Sequence, residues 1–224
     1  MKYRFFLFLL VALFLIQCSN DNQGSNSQLI TKTVSEKKII LKSSNLKDLK
    51  SKQLIIIDIQ PYAEIPDNLV NYVYKELCKI YPHVNLLKSI PLPPSAYYAP
   101  RNRYRADSLI NILKSNTKDG HVTIGLTCKD ISSDKGSIKD YGIMGLGFKP
   151  GKSCVVSPFR LSKNNLNDQF FKVAIHELGH TQGLDHCSDK TCIMTDANSK
   201  NTTDNEIGFC KKCNTFLKEK DWRI

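Results

Sequence analysis

The residues best able to do chemistry lie together in the stretch HELGHTQGLDHCSDKTCIM, residues 176–194. On a helix, His176 and His180 project one turn apart in the same direction, so both imidazoles can reach one cation. Zinc accepts imidazole nitrogen, and a catalytic zinc site has three protein ligands with one position open. Because Gly183 can adopt the positive φ that ends a helix, the chain can turn and bring His186 back as the third ligand.

Glu177 is placed to act beside such a metal ion. It follows His176 and points about 100° away around the helix, so it can stand next to the ion without binding it. A carboxylate there can take a proton from zinc-activated water and pass it to a leaving amine. A lone histidine is more often a core or surface imidazole, which is our interpretation of His83 and His121. The spaced combination with Glu177 instead predicts a peptide hydrolase with this residue as general base.

A second set of potential ligands is made of cysteines in C-x4-C and C-x2-C pairs: Cys187, Cys192, Cys210 and Cys213. Four thiolates in this arrangement predict a closed tetrahedral zinc site, which holds structure and leaves no open position. The alternative is two disulfides, which an oxidising compartment would favour. Of the other cysteines, Cys78, Cys128 and Cys154 can form at most one disulfide, and the sequence does not specify which.

A folded body must hold the active-site helix, and we predict that it begins near residue 51. Candidate strands are short β-branched runs, and candidate helices have apolar residues at helical intervals. The strands are predicted at 53–61, 83–92, 121–128, 141–148 and 154–159, and the first two helices at 67–81 and 103–115. Asn167 or Asp168 is predicted to cap the active-site helix. The mixture predicts an α/β or α+β fold with helices packed on one sheet, and the resemblance described next favours α+β.

The extended pattern H-E-x-x-H-x-x-G-x-x-H resembles that of the metzincin clan of zinc metallopeptidases. In that resemblance, Met194 is the methionine of the Met-turn beneath the metal. The cysteine that directly follows the third histidine, with the cysteines downstream, resembles the archaemetzincin family. Three upstream stretches also resemble it: PLPPSAYYAPRNRYRADSLI (91–110), GLTCKDI (125–131) and VVSPFRL (155–161). The resemblance implies a metzincin-like domain with a mixed twisted sheet and a small C-terminal subdomain, holding one catalytic and one structural zinc ion.

The N-terminus predicts export. Lys2 and Arg4 precede the apolar run FFLFLLVALFLI, which is shorter than the roughly 20 residues of a membrane-spanning helix. The run ends in Leu-Ile-Gln-Cys, which resembles a bacterial lipobox, so we predict a signal peptide at 1–17 and lipidation of Cys18. An ordinary signal peptide with an incidental cysteine is the alternative. The polar residues 18–50 predict a flexible tether, and residues 51–224 the metallopeptidase domain.

The composition narrows the classes of partner. The formal charge of +11 would fall to +9 without Lys2 and Arg4, and the lysines are scattered rather than clustered. We expect a monomer that acts on peptides or proteins, is anchored to a bacterial membrane on its exported side, and binds no nucleic acid. One alternative is a zinc-containing binding protein with weak or no activity, but such a protein would be expected to lose Glu177 first. A zinc ribbon on a basic nucleic-acid binder is the other, and the signal sequence opposes it.

Overall fold

The computed structural model describes residues 54–197 and 200–224 of this chain, and strands and helices both occur along this part. The helices are α1 (Asp67–Ile80), α2 (Ala106–Asn116), α3 (Leu166–Gln182) and α4 (Lys211–Lys218). The strands are β1 (Ile56–Pro61), β2 (Val84–Leu86), β3 (Tyr97–Tyr98), β4 (Arg103–Arg105), β5 (His121–Leu126), β6 (Ile131–Lys135), β7 (Ile138–Ile143), β8 (Gly145–Gly147) and β9 (Ser153–Val156). None of the helices in the described ranges is both long and apolar enough to cross a membrane.

A five-stranded sheet forms the centre of the fold, in the order β2-β1-β5-β9-β8. The first four of these strands are parallel, and β8 runs antiparallel to β9 at the edge. Successive side chains of a strand point to opposite faces of the sheet. Ile57 and Ile59, fully buried, pack in the core that includes α1 and α3, whereas α2 packs on the opposite face. The active-site helix therefore lies directly on the sheet.

A second sheet corrects the prediction of a single one. Its order is β3-β4-β6-β7, and its strands are short and largely polar, so hydrophobic periodicity gave no strand signal for β3 or β6. The residues of β4 were wrongly predicted as the beginning of the helix at 103–115, which begins at Ala106 instead. Ion pairs hold this sheet where apolar side chains are few: Arg103 lies 2.6 Å from Asp130 and 3.2 Å from Asp140. The predicted strand at 141–148 is divided at Met144, because β7 joins the second sheet and β8 the first.

The ends of α3 position the histidines on it. Its N-cap is Asn165 in the left-handed conformation, with no side-chain capping bond, so the predicted cap at Asn167 or Asp168 is wrong. The buried Gln169 side chain braces this end instead, accepting from the backbone of Ser162 and donating to the carbonyl of Asn164. At the other end Gly183 has a φ of 106°, as its sequence position predicts, and the chain turns toward His186.

The N-terminal predictions lie outside the described residues. These are the signal peptide at 1–17, the lipidated Cys18 and the tether at 18–50. The domain boundaries at residues 17 and 50 therefore stay predictions.

Candidate metal centres and active site

Three imidazoles converge beside α3. His176 and His180 lie on the helix, and His186 follows the turn at Gly183. The Nε2 atom of His180 is 3.1 Å from Nε2 of His176 and 3.3 Å from Nε2 of His186. Two nitrogens bound to one tetrahedral zinc ion lie about 3.3 Å apart, given Zn–N bonds of about 2.0–2.1 Å. The donor atoms are therefore spaced as a zinc site requires.

Backbone carbonyls orient the two helical imidazoles. Nδ1–H of His176 donates to the carbonyl oxygen of Ile193 at 2.6 Å, and Nδ1–H of His180 donates to that of Leu184 at 2.8 Å. These bonds leave the Nε2 lone pairs directed at the shared point. Burial lowers the pKa of His176 to about 4 and lowers that of His180 as well. Both rings are therefore neutral near pH 7, which is the form that binds metal.

The side chain of Glu177 lies between α3 and strand β8, at the edge of the five-stranded sheet. The residue is 7% exposed, and burial raises the pKa of its carboxyl to about 8. A Cβ atom on Gly145 would lie 2.6 Å from Cγ and 2.7 Å from Oε1 of Glu177. A Cβ on Gly147 would lie 2.9 Å from the Glu177 backbone oxygen. Both glycines are needed to make room for Glu177. Their role was not predicted, although glycine within a strand often marks a close approach of another group.

A cavity of about 540 Å³ opens beside these residues. His176, Glu177 and His186 line it, together with Gly145 of the edge strand and Val173 of α3. This volume lies within the usual range of small-molecule sites. Two of the three imidazoles and Glu177 thus share one accessible space, whereas the cores on both faces of the sheet are closed to solvent.

The four paired cysteines form a second cluster, with all four Sγ atoms within 4.8 Å of one another: Cys187, Cys192, Cys210 and Cys213. Sγ of Cys187 and Sγ of Cys210 are 3.6 Å apart. Two sulfurs on a tetrahedral zinc ion lie about 3.8 Å apart, whereas the bond of a disulfide is about 2.05 Å. The backbone N–H of Cys213 lowers the pKa of Cys210 to about 7. The distance between these sulfurs fits a metal site, and none of the four cysteines forms a disulfide.

The remaining described cysteines are also free thiols. Cys78 is exposed on α1, Cys128 is partly buried, and Cys154 is buried in β9. The disulfide that the sequence left open among them is therefore absent from the described residues.

One short segment joins the two clusters. The Cys192 sulfur accepts from the backbone N–H of Met194 at 3.4 Å. The carbonyl of the same peptide unit, that of Ile193, orients His176. Met194 is fully buried, and its Sδ lies so close to the active-site helix that a Cβ on Gly179 would be 2.6 Å away. The orienting carbonyls could not be predicted, since any residue can supply one.

The sequence profile of peptidase family M54 matches residues 38–219 of this chain. The chain belongs to peptidase family M54. The archaemetzincin of Archaeoglobus fulgidus is 32% identical to it over 162 residues, which are 70% of this chain and 95% of that protein. The archaemetzincin of Haloquadratum walsbyi is 27% identical over 177 residues, which are 73% of this chain and 99% of that protein. The predicted enzyme class, a zinc metallopeptidase of the archaemetzincin kind, is confirmed.

Solved structures agree with the fold of this M54 peptidase. The crystal structure of the Archaeoglobus fulgidus archaemetzincin, complexed with malonate, matches with a TM-score of 0.62 at 32% identity, covering 71% of this chain and 98% of that one. The Methanopyrus kandleri archaemetzincin matches with a TM-score of 0.63 at 25% identity, covering 76% and 97%. The mixed α+β fold is confirmed, and a peptidase implies peptide or protein substrates. The individual site residues stay predictions.

Proposed function

We propose that His176, His180 and His186 hold a catalytic zinc ion and that Glu177 moves the proton in peptide-bond hydrolysis. The observation that carries this proposal is the convergence of three Nε2 atoms next to a cavity that the buried Glu177 lines. When bound there, zinc supplies a Lewis acid that polarises the substrate carbonyl and lowers the pKa of water.

The residues of the chain perform the remaining steps. Burial alone raises the pKa of Glu177 to about 8, so the positive charge of a bound zinc ion would be needed to keep its carboxylate ionised near pH 7. The ionised carboxylate accepts a proton from the attacking water and then donates it to the nitrogen of the leaving amine. Gly145 and Gly147 leave room for this carboxylate at the edge strand. Its burial keeps bulk water from competing for the proton. The carbonyls of Ile193 and Leu184 fix the two helical imidazoles, so Glu177 is positioned relative to a rigid pair of ligands.

We also propose that the four clustered cysteines hold a second, structural zinc ion and that Met194 forms the Met-turn. The spacing of the sulfurs and the absence of disulfides among the described cysteines support the first proposal. The close packing of Met194 on Gly179, between the two helical histidines, supports the second. Elemental analysis of the purified chain should find two zinc ions per molecule, and a single ion in well-folded protein would contradict the proposal.

Substitution of Glu177 by Gln tests the proposed catalysis. The amide keeps the shape but cannot accept the proton, so kcat should fall by about 10² to 10⁴-fold with zinc content unchanged. Glu76→Gln on α1 is the control, because it removes a carboxylate that does not line the cavity. The rates are measured by following the cleavage of a peptide library with mass spectrometry. If Glu177→Gln cleaves as fast as wild type at equal zinc content, another residue moves the proton.

The same experiment separates catalysis from the alternative of a weak or inactive zinc-containing binding protein. A binding protein would cleave no peptide of the library at full zinc content, and the substitution of Glu177 would then change nothing. We favour the enzyme because the base, the open cavity and the three ligands are all present.

We propose further that the enzyme is a monomeric bacterial lipoprotein, exported and anchored through Cys18, that binds no nucleic acid. The support is the sequence alone: the short apolar run and the cysteine at its end. Membrane fractionation and N-terminal mass spectrometry should find lipid on wild type and none on Cys18→Ala. An unmodified N-terminus in the wild-type protein would contradict the anchor.

A further inference from the structure

A second cavity lies on the face of the five-stranded sheet opposite α3. Along β1, Ile57 and Ile59 point to the core under α3, so Asp58 points to the other face. Helix α2 packs over β5 and β9 on that face. A cavity of about 400 Å³ lies beside it, near β1 and β2, and the chain that follows β2 closes one side.

A buried carboxylate lies at the base of this second cavity. Asp58 is 6% exposed; its Oδ1 accepts from Nδ2 of Asn85 at 2.9 Å, and its Oδ2 accepts from Nδ1–H of His121 at 2.7 Å. Each carboxylate oxygen has two lone pairs, so one on each oxygen can still accept a hydrogen bond. Burial of a charged group is costly unless it is paired and hydrogen-bonded. Asp58 is therefore held in one orientation with accepting capacity left over.

Tyr62 lines the same cavity, and its buried hydroxyl has no hydrogen-bond partner in the described structure. The residue is 1% exposed, and burial raises its pKa to about 12, so the hydroxyl is protonated at neutral pH. A buried donor without an acceptor costs about as much as a lost hydrogen bond. A ligand that brings an acceptor would recover that free energy.

The rest of the lining consists of one charged residue, an apolar wall and the polar side chains of Gln60, Asn116 and Thr123. Lys118, an exposed residue of the loop before β5, brings a positive charge to the cavity. Pro91 and Pro93 line one side, and Ile112 and Leu113 of α2 line the other. The cavity therefore combines a negative group, a positive group, an unpaired hydroxyl and apolar surface.

We propose that this second cavity binds a free α-amino acid with an apolar side chain. Its ammonium group donates to Asp58, its carboxylate accepts from Tyr62 and Lys118, and its side chain lies on the apolar walls. The cavity is lined by none of the residues that line the proposed catalytic cavity. The proposal is therefore independent of the proposed catalytic mechanism.

Calorimetry on the zinc-loaded full chain tests the proposal with three probes. L-Leucine carries both charged groups, 3-methylbutylamine carries only the ammonium, and 4-methylpentanoate carries only the carboxylate. Leucine should bind about tenfold or more tightly than either analogue, because each analogue lacks one set of charge-assisted hydrogen bonds. If either analogue binds as tightly as leucine, or if leucine gives no binding, the proposal is overturned.

Two variants locate the binding. Asp58→Asn should weaken leucine binding about tenfold or more, and Tyr62→Phe should weaken it several-fold while keeping the aromatic ring in place. Asp119→Asn is the matched control, since that carboxylate lies in the same loop as Lys118 but outside the cavity lining. Peptide cleavage should be unchanged in all three variants. Because Tyr62→Phe removes only an unpaired hydroxyl, it should fold even if Asp58→Asn does not. Unchanged leucine affinity in Tyr62→Phe would overturn the proposal.

Discussion

The two ligand clusters are adjacent in the chain but differ in their surroundings. His186 and Cys187 are consecutive, yet one belongs to the histidine cluster and the other to the cysteine cluster. The side chain of His186 is 50% exposed and lines the large cavity, whereas Cys192 and Cys213 are 1% and 3% exposed. The difference teaches that access, rather than the identity of the ion, separates a site for chemistry from a site for structure.

The comparison also shows how the cysteine cluster can support the histidine cluster. Backbone amides of Met194 and Cys210 donate to the sulfur of Cys192, at 3.4 and 3.3 Å. The Ile193 carbonyl, which belongs to the same peptide unit as the Met194 amide, orients His176. Loss of the cysteine cluster should therefore affect the proposed active site only by loosening residues 192–194. Loss of the histidine cluster should leave the fold intact.

The largest effect on activity is expected from His180→Ala. Two ligands rarely hold a catalytic zinc ion, so one zinc ion should be lost and cleavage should fall more than about 10⁴-fold, beyond the usual contribution of a general base. The melting temperature should change little, because alanine is a good helix former. His83→Ala, which lies outside both clusters, is the control. Full activity in His180→Ala would show that the histidine cluster is not the active site.

Cys213→Ser should have its main effect on stability instead. A structural zinc site contributes directly to folding, so we expect a loss of about 3 kcal/mol or more and a fall in melting temperature of about 10 °C. Cleavage per folded molecule should stay within a few-fold of wild type at low temperature. Cys78→Ser, at an exposed cysteine of α1, should change stability by less than about 0.5 kcal/mol. Equal melting temperatures for the two variants would contradict the structural role.

Gly145→Ala should give a smaller, purely catalytic effect. The new Cβ would lie 2.6 Å from Cγ of Glu177, so the carboxylate must move while the imidazoles stay in place. A misplacement of about 1 Å can cost about 10² in rate, with zinc content unchanged. Gly208→Ala is the control near the cysteine cluster, because a Cβ there meets nothing within 4 Å. If Gly145→Ala matches the control in kcat, the edge strand does not position Glu177.

The candidate site could be predicted from the sequence more fully than the fold that holds it. The histidine and cysteine spacings are local, and a helix followed by a glycine turn places His176, His180 and His186 almost by itself. The carbonyls of Ile193 and Leu184 could not be predicted, since backbone oxygens carry no sequence signal. Gly145 and Gly147 were visible as glycines in a predicted strand, but only the tertiary packing shows that Glu177 needs them.

Strands β1, β5 and β9 of the first sheet were predicted because they are buried and contain β-branched residues. The second sheet was missed because ion pairs such as Arg103 with Asp130 hold it, and charged pairs between distant residues leave no periodic pattern. The predicted cap of α3 failed for a related reason. Asn165 is the N-cap residue, and the buried Gln169 side chain braces that end by accepting from the backbone of Ser162, a contact that depends on the tertiary fold.

Stepwise removal of zinc tests the central claim most directly. A chelator titrated into the wild-type protein should remove one ion first, because the histidine cluster is open and the cysteine cluster is closed. Peptide cleavage should disappear with that first ion while circular dichroism stays unchanged, and added zinc should restore it. The second ion should leave only as the protein unfolds. Cleavage that survives loss of the first ion, or unfolding that accompanies it, would contradict the division into a catalytic and a structural site.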